Sequence, residues 1–256
     1  MMKKLDNKVA LVTGAGSGLG KAISLLFAAE GARLVASDIN ETSLAALKEE
    51  VSGNGGTITT VVANMAKAED IENMISLAVK EYGTLDIVVN NAGIMDNFSP
   101  VAEVDDQVWQ RLMDVNLTGP FKAMRASLKI MLAKQSGVIV NIASIGGLQG
   151  ARAGAAYTAS KHALIGLTKN TGYMYAKSGI RCNAIAPGAM ETNIGSTIDY
   201  SKVTPLINER IMTGLSLNPR SSNPSEVASV ALFLASDDAS FINGTTVVAD
   251  GGWTAF

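Results

Sequence analysis

Short apolar runs alternate with longer stretches whose apolar residues recur every three or four positions, almost to the end of the 256-residue chain. "KVALVTG", "RLVASD", "TITTVVAN", "LDIVVNNAG", "GVIVNIAS", "IRCNAIAPG" and "TTVVADGG" show little polar alternation, as expected of strands covered on both faces. Helical spacing fills the intervals. One helix is expected from about Gly18 to Glu30, and "ETSLAALKEEVSG" is a second that stops at Gly53. A third carries Ile71, Met74, Ile75, Ala78 and Val79, and a long fourth Val108, Leu112, Val115, Phe121 and Met124. A fifth holds "AAYTASKHALIG" and a sixth "SEVASVALFLAS".

Strands separated by helices predict an α/β fold, a doubly wound parallel sheet of Rossmann-like form with helices on both faces. No linker, repeat or low-complexity stretch divides the chain, so residues 1–256 are expected to form a single dinucleotide-binding and catalytic domain. The long irregular region at 189–215 is expected to be a substrate lid, since loops of that length often cover active sites.

Composition narrows the classes. A net charge of −2 offers no basic field for nucleic acid or an acidic membrane. Cys182 is the lone cysteine, which excludes an internal disulfide and a cysteine-rich metal site and fits a reducing compartment. No apolar run reaches the roughly 18 residues of a membrane span, and the N-terminus lacks a signal peptide's long apolar core. A cytoplasmic protein with no metal is the expectation.

"TGAGSGLG" joins the first strand to the first helix. Glycines there permit a tight turn and let backbone N–H groups approach a pyrophosphate at the positive end of the helix. The spacing is G-x-x-x-G-x-G, through Gly14, Gly18 and Gly20, with Leu19 where G-x-G-x-x-G would need glycine. Such a turn also serves packing alone. The second strand ends at Asp38, where a carboxylate can accept from both adenosine ribose hydroxyls and repel a 2′-phosphate. No Lys or Arg occurs between Gly14 and Gly20 to neutralise such a phosphate, so NAD is expected over NADP.

On a helix, residues four apart differ by ~40° in azimuth, so Tyr157 and Lys161 share a face while His162 points ~100° further round. The histidine is therefore expected to be a bystander. A phenol titrates near pH 10, and a neighbouring ammonium together with an oxidised nicotinamide favours the phenolate. Y-x-x-x-K alone also arises by chance. Its company gives it weight, with Ser144 at the end of the fifth strand, "NNAG" (Asn90–Gly93) at the end of the fourth and Asn116 on the following helix. Pro187 and Gly188 end the sixth strand, four residues before Thr192. Ligands bind at these carboxyl ends in open α/β sheets.

TGxxxGxG, NNAG, the Asn of VNLTG, Ser, YxxxK, PGxxxT and the terminal DGG (Asp250–Gly252) together resemble the short-chain dehydrogenases/reductases, in their single-domain branch of about 250 residues, over the whole chain. The resemblance implies an oxidoreductase interconverting a secondary alcohol and a ketone by hydride transfer. Tyr157 would exchange the proton, Lys161 would lower its pKa and hold the nicotinamide ribose, Ser144 would orient the carbonyl and Asn116 would support a proton-relay water. Cofactor contacts are implied at Gly14, Ser17, Gly18, Leu19, Gly20, Asp38, Asn64, Met65, Asn91, Ala92, Gly93, Tyr157, Lys161, Pro187, Gly188 and Thr192. One departure is Asn64, where many relatives place an aspartate against the adenine.

Rival readings are an NADPH-dependent 3-oxoacyl-thioester reductase and a non-catalytic NAD-binding sensor. A hydrolase lacks its G-x-S-x-G elbow. The lid's Ile194, Ile198, Val203, Leu206, Ile207, Met212 and Leu215 suit an apolar pocket or burial of the lid itself, with Met95 and Met190 expected beside the substrate. The small alcohol or ketone stays unnamed. By resemblance the assembly is a homotetramer built from the two long helices and the last strand.

Overall fold

The computed structural model describes residues 3–255, and its order of strands explains the apolar runs. Seven parallel strands form one sheet in the order β3-β2-β1-β4-β5-β6-β7. They are β1 (Val9–Thr13), β2 (Arg33–Asp38), β3 (Thr57–Val62), β4 (Ile87–Asn90), β5 (Gly137–Ile142), β6 (Ile180–Pro187) and β7 (Thr246–Ala249). Along β1 the alternate residues Ala10 and Val12 join one buried cluster, whereas Val9 and Leu11 join another on the opposite face. Both faces are covered at the central strands such as β1 and β4, which is why these carry no polar alternation, whereas the edge strands β3 and β7 are only partly buried.

The first cluster lies under α1 (Gly18–Ala29), α2 (Glu41–Gly53) and α9 (Pro224–Ala235), with Ile23, Phe27, Leu47 and Ala231 at its centre. The second lies under α3 (Ala68–Tyr82) and α5 (Gly119–Ala133), with Met74, Ala78, Met124 and Met131 fully out of solvent or nearly so. On that same side α6 (Ala155–Tyr175) packs along β6. Switching from β1–β2–β3 to β4–β5–β6–β7 opens a crevice at the carboxyl ends of β1 and β4, where such folds bind ligands.

Three local features differ from the sequence expectation. The long fourth helix is two helices, α4 (Asp106–Met113) and α5, joined by a π turn over Asp114–Thr118. That wider turn carries Asn116, and π bulges of this kind recur at functional sites. Ser144 stands two residues beyond the end of β5 at Ile142, as the cap of a short 3-10 turn. The 189–215 region is not irregular throughout: it winds as α7 (Pro205–Ile207), a π turn over Asn208–Met212 and α8 (Thr213–Leu215). Among the described residues no helix is long and apolar enough to cross a membrane.

Candidate active site

The glycine turn begins where β1 ends. Gly14 has φ of +64° and a side chain there would meet the Ala92 backbone at 2.8 Å, so only glycine lets the two loops close on one another. Asn91 secures this contact, its amide donating to the carbonyls of Thr13 and Gly14 at 2.9 and 3.1 Å. The Thr13 hydroxyl accepts from the N–H groups of Asn91 and Ala92. Ser17 starts α1 with no side-chain cap, which leaves the N–H groups of the first turn turned toward the crevice unclaimed by a side chain.

Around this helix end the remaining predicted residues fall into two groups. Asp38 lies against the turn, its carboxylate accepting from Gly16 N–H at 2.9 Å and Asn40 N–H at 3.0 Å. Thr192 closes over Gly18, at 3.1 Å from the position a Cβ would take, and its buried hydroxyl has no hydrogen-bond partner. Gly188 follows β6 at Pro187 and packs so tightly on Asp250 that a Cβ would meet it at 2.9 Å. Asn64 turns its Oδ1 to Ala66 N–H, and the Met65 side chain goes to the core under α3 and α5.

A free helix N-terminus, an acceptor on the neighbouring strand end and an orphaned buried hydroxyl fit a dinucleotide with its pyrophosphate on α1. Among the described residues no three His, Cys, Asp or Glu side chains gather as a metal site requires.

Ser144, Tyr157, Lys161 and Asn116 meet on the other side of Gly93. The Lys161 ammonium lies 5.5 Å from the centroid of the Tyr157 ring and donates to the Ile142 carbonyl at 2.9 Å. Gly146 sits between Ser144 and Tyr157: a methyl there would lie 3.4 Å from the serine Oγ and 3.5 Å from the tyrosine ring. The Asn116 amide is wholly buried and clasps the Ile94 backbone, accepting from its N–H and donating to its carbonyl, both at 2.9 Å. A methyl on Gly93 would be 3.4 Å from both Asn116 Oδ1 and Lys161 Nζ. His162 is exposed on another face of α6, with Nδ1 2.9 Å from the Thr158 carbonyl.

Burial pushes the Tyr157 phenol up to about 12, with the Ser144 hydroxyl pulling the other way and the Asp96 charge adding to the rise. Burial also draws Lys161 down to about 8. The sequence suggested a phenol pulled downward by Lys161. Burial is instead the largest influence on the phenol, and it raises it.

Met95 packs with Tyr157, Leu112, Ala153 and Ala156 in an apolar cluster. Met190 packs elsewhere, against the core under α1 and α9, and bridges to Ser222. Within the 189–215 segment Ile207 is buried, whereas Leu206 is half exposed.

Sequence reasoning missed Asp96 and Arg152. Asp96 is buried and accepts from the Tyr157 backbone. Arg152 is buried, stacks on Trp253 at 4.5 Å and donates to Gly214 O in α8. The only available signal was a charge inside otherwise apolar or small-residue surroundings, in "AGIMDNF" and "GARAGAA".

A parallel sheet with a nucleotide cradle at its switch point and a tyrosine–lysine pair beside it defines a dinucleotide-dependent oxidoreductase. A family model described as enoyl-(acyl carrier protein) reductase matches residues 14–254. The chain is 46% identical over 253 residues to 3beta-hydroxysteroid dehydrogenase 2 of Eggerthella lenta, covering 98% of this chain and 96% of that one. It is 39% identical over 257 residues to a cyclohexanol dehydrogenase of an Acinetobacter species, covering 100% and 98%. The crystal structure of levodione reductase superimposes with a TM-score of 0.90 at 35% identity, over 98% of this chain and 99% of the other. The chain belongs to the short-chain dehydrogenase/reductase family, NAD(P)-dependent enzymes that act on CH–OH groups.

Proposed function

We propose that this enzyme interconverts a secondary alcohol and a ketone with NAD(H), Tyr157 exchanging the proton at the substrate oxygen. The observation that carries the reading is the convergence of Ser144, Tyr157 and the Lys161 ammonium at the rim of the cradle. When bound, the nicotinamide supplies the hydride acceptor or donor. The chain's own residues position and protonate. Ser144 orients the substrate oxygen beside the phenol, Lys161 provides the positive charge that stabilises a developing phenolate, and Asn116 supports the water that links Lys161 to solvent.

Gly14, Ser17, Gly18, Leu19 and Gly20 would hold the pyrophosphate, with Asn91, Ala92 and Gly93 forming the floor. Pro187, Gly188 and Thr192 would meet the nicotinamide end, Thr192 through its unpartnered hydroxyl. Asn64 and Met65 would border the adenine. Asp38 would take the ribose hydroxyls and repel a 2′-phosphate, which is the support for NAD over NADP and against an NADPH-dependent 3-oxoacyl-thioester reductase.

For the substrate we favour an apolar ring bearing the alcohol or ketone, such as a hydroxysteroid or cyclohexanol. Met95, Leu112 and Val108 beside Tyr157 supply an apolar wall, and relatives named for those two alcohols cover almost the whole chain. The 189–215 segment would be the lid over that wall. A homotetramer is the assembly we favour, since large apolar side chains stand exposed on α5, α6 and beside β7.

The test is a panel of steroid, alicyclic, sugar and acyl-thioester substrates assayed with both cofactors on the native enzyme and on Tyr157→Phe. Turnover of alicyclic or steroid alcohols with NAD, lost by at least ~1,000-fold in the phenylalanine variant with cofactor binding intact, is the expected result. An active Tyr157→Phe enzyme removes the proton-transfer role. Turnover confined to acyl thioesters with NADPH favours the rival.

A further inference from the structure

Helix α6 starts with no cap of its own: Gly154 has no side chain to offer, and its first turn contains no acidic residue. The first N–H groups of a helix need acceptors, and buried ones cost dearly without them. They are met from a distant segment. Asp96, 2% exposed, accepts from Gly154 N–H at 2.9 Å through Oδ1 and from Tyr157 N–H at 2.9 Å through Oδ2. The Ser99 carbonyl takes Ala155 N–H at 2.9 Å.

The contact is built on both sides. A Cβ on Gly154 would stand 2.5 Å from Asp96 Oδ2, so glycine is what admits the carboxylate. On the other side Oδ1 also accepts from Phe98 N–H at 3.1 Å. Phe98 has φ of +63°, a conformation that strains any residue with a Cβ, and its ring is buried. The segment after β4 is thus bent at a cost that its contacts with α6 offset.

We propose that Asp96 is a positioning residue for this enzyme, its carboxylate clamping the first turn of α6 to the segment after β4 and so fixing where the Tyr157 phenol meets the substrate. The proposal rests on the role given to Tyr157 above. Tyr157 is the third residue of α6, so the clamp bonds to the backbone of the reacting residue itself. The same segment carries Gly93 and Ile94, which Asn116 grips, so one carboxylate registers Tyr157 against both Asn116 and the cofactor floor.

A charge is part of the device. The groups bearing on the phenol are Lys161 on its own helix, Asp96 from the segment after β4 and the Ser144 hydroxyl after β5. Helix α4 packs here through the apolar Val108 and Leu112, and the Arg152 guanidinium stacks on Trp253. The Asp96 charge favours the protonated phenol, the form that donates a proton to a carbonyl.

The experiment compares native enzyme with Asp96→Asn, Gly154→Ala and Tyr157→Phe, reading kcat, KM, cofactor Kd and the pH profile of alcohol oxidation. Asp96→Asn keeps an acceptor but removes the charge. It should lower kcat roughly tenfold with cofactor Kd unchanged and move the oxidation profile to lower pH by roughly half a unit or more. A profile superimposable on that of the native enzyme overturns the proposal, whatever the rate. Should Asp96→Asn fail to fold, Gly154→Ala decides: a roughly tenfold lower kcat at native cofactor affinity supports the clamp, and native kcat overturns it. Tyr157→Phe separates the two readings, because an active phenylalanine variant removes the role of Tyr157 irrespective of Asp96.

Discussion

Tyr157 and Lys161 are both out of solvent, and burial acts on them in opposite senses because it disfavours whichever form is charged. The phenol is pushed up to about 12 and the ammonium drawn down to about 8. Below about pH 8 the pair is therefore phenol and ammonium, the combination that can protonate a carbonyl while stabilising the phenolate left behind. Above it the phenol remains protonated and the lysine loses its charge. For ketone reduction kcat/KM, which reports groups of the free enzyme, should be level below about pH 8 and fall toward tenfold per unit above it. His162→Ala should leave that curve unchanged, since the imidazole is exposed and bonded to Thr158 O. A level profile to pH 10 would remove Lys161 from the chemistry, and a profile altered by His162→Ala would return the histidine to it.

The elements show what a single chain makes legible. Apolar runs and helical spacing identify all seven strands and the large helices, because burial on both sheet faces leaves an unbroken signal in β1 or β4. The tyrosine–lysine face of α6 is legible for the same reason, being pure helical geometry. The π turn at Asn116 is not, since one extra residue in a helical turn alters no apolar run of 106–133. Nor is the clamp from Asp96, which joins residues 58 and 61 positions apart in sequence.

Arg152 is a second such link, tying the segment before α6 to α8 through Gly214 O at 2.8 Å and to the C-terminal segment through Trp253. A stacked, hydrogen-bonded guanidinium is not replaced by an ammonium. Arg152→Lys should loosen 205–215, seen as faster proteolytic cleavage there and a several-fold higher KM for the alcohol at unchanged cofactor Kd. Native cleavage and KM would mean that Arg152 does not hold that segment.

At the scale of the molecule, the sheet ends at β3 on one side and β7 on the other, and the two edges are unlike. β3 reads TITTVV, and its Thr59 hydroxyl is engaged by Tyr82. Around β7 stand the exposed Val248, Phe233 at the end of α9 and Phe241, fully in solvent. A strand with one free edge flanked by large apolar side chains is an aggregation hazard in a monomer and a natural contact for a second copy. The four-residue β7 limits the edge pairing available, so the aromatic side chains would supply most of the buried area. If the proposed tetramer closes through this edge, Val248→Asp with Phe241→Ser should convert it to a species of half the mass by light scattering. Cofactor binding should persist, because neither residue lies at the cradle on α1. A native enzyme that is monomeric at micromolar concentration would leave the β7 edge without that role.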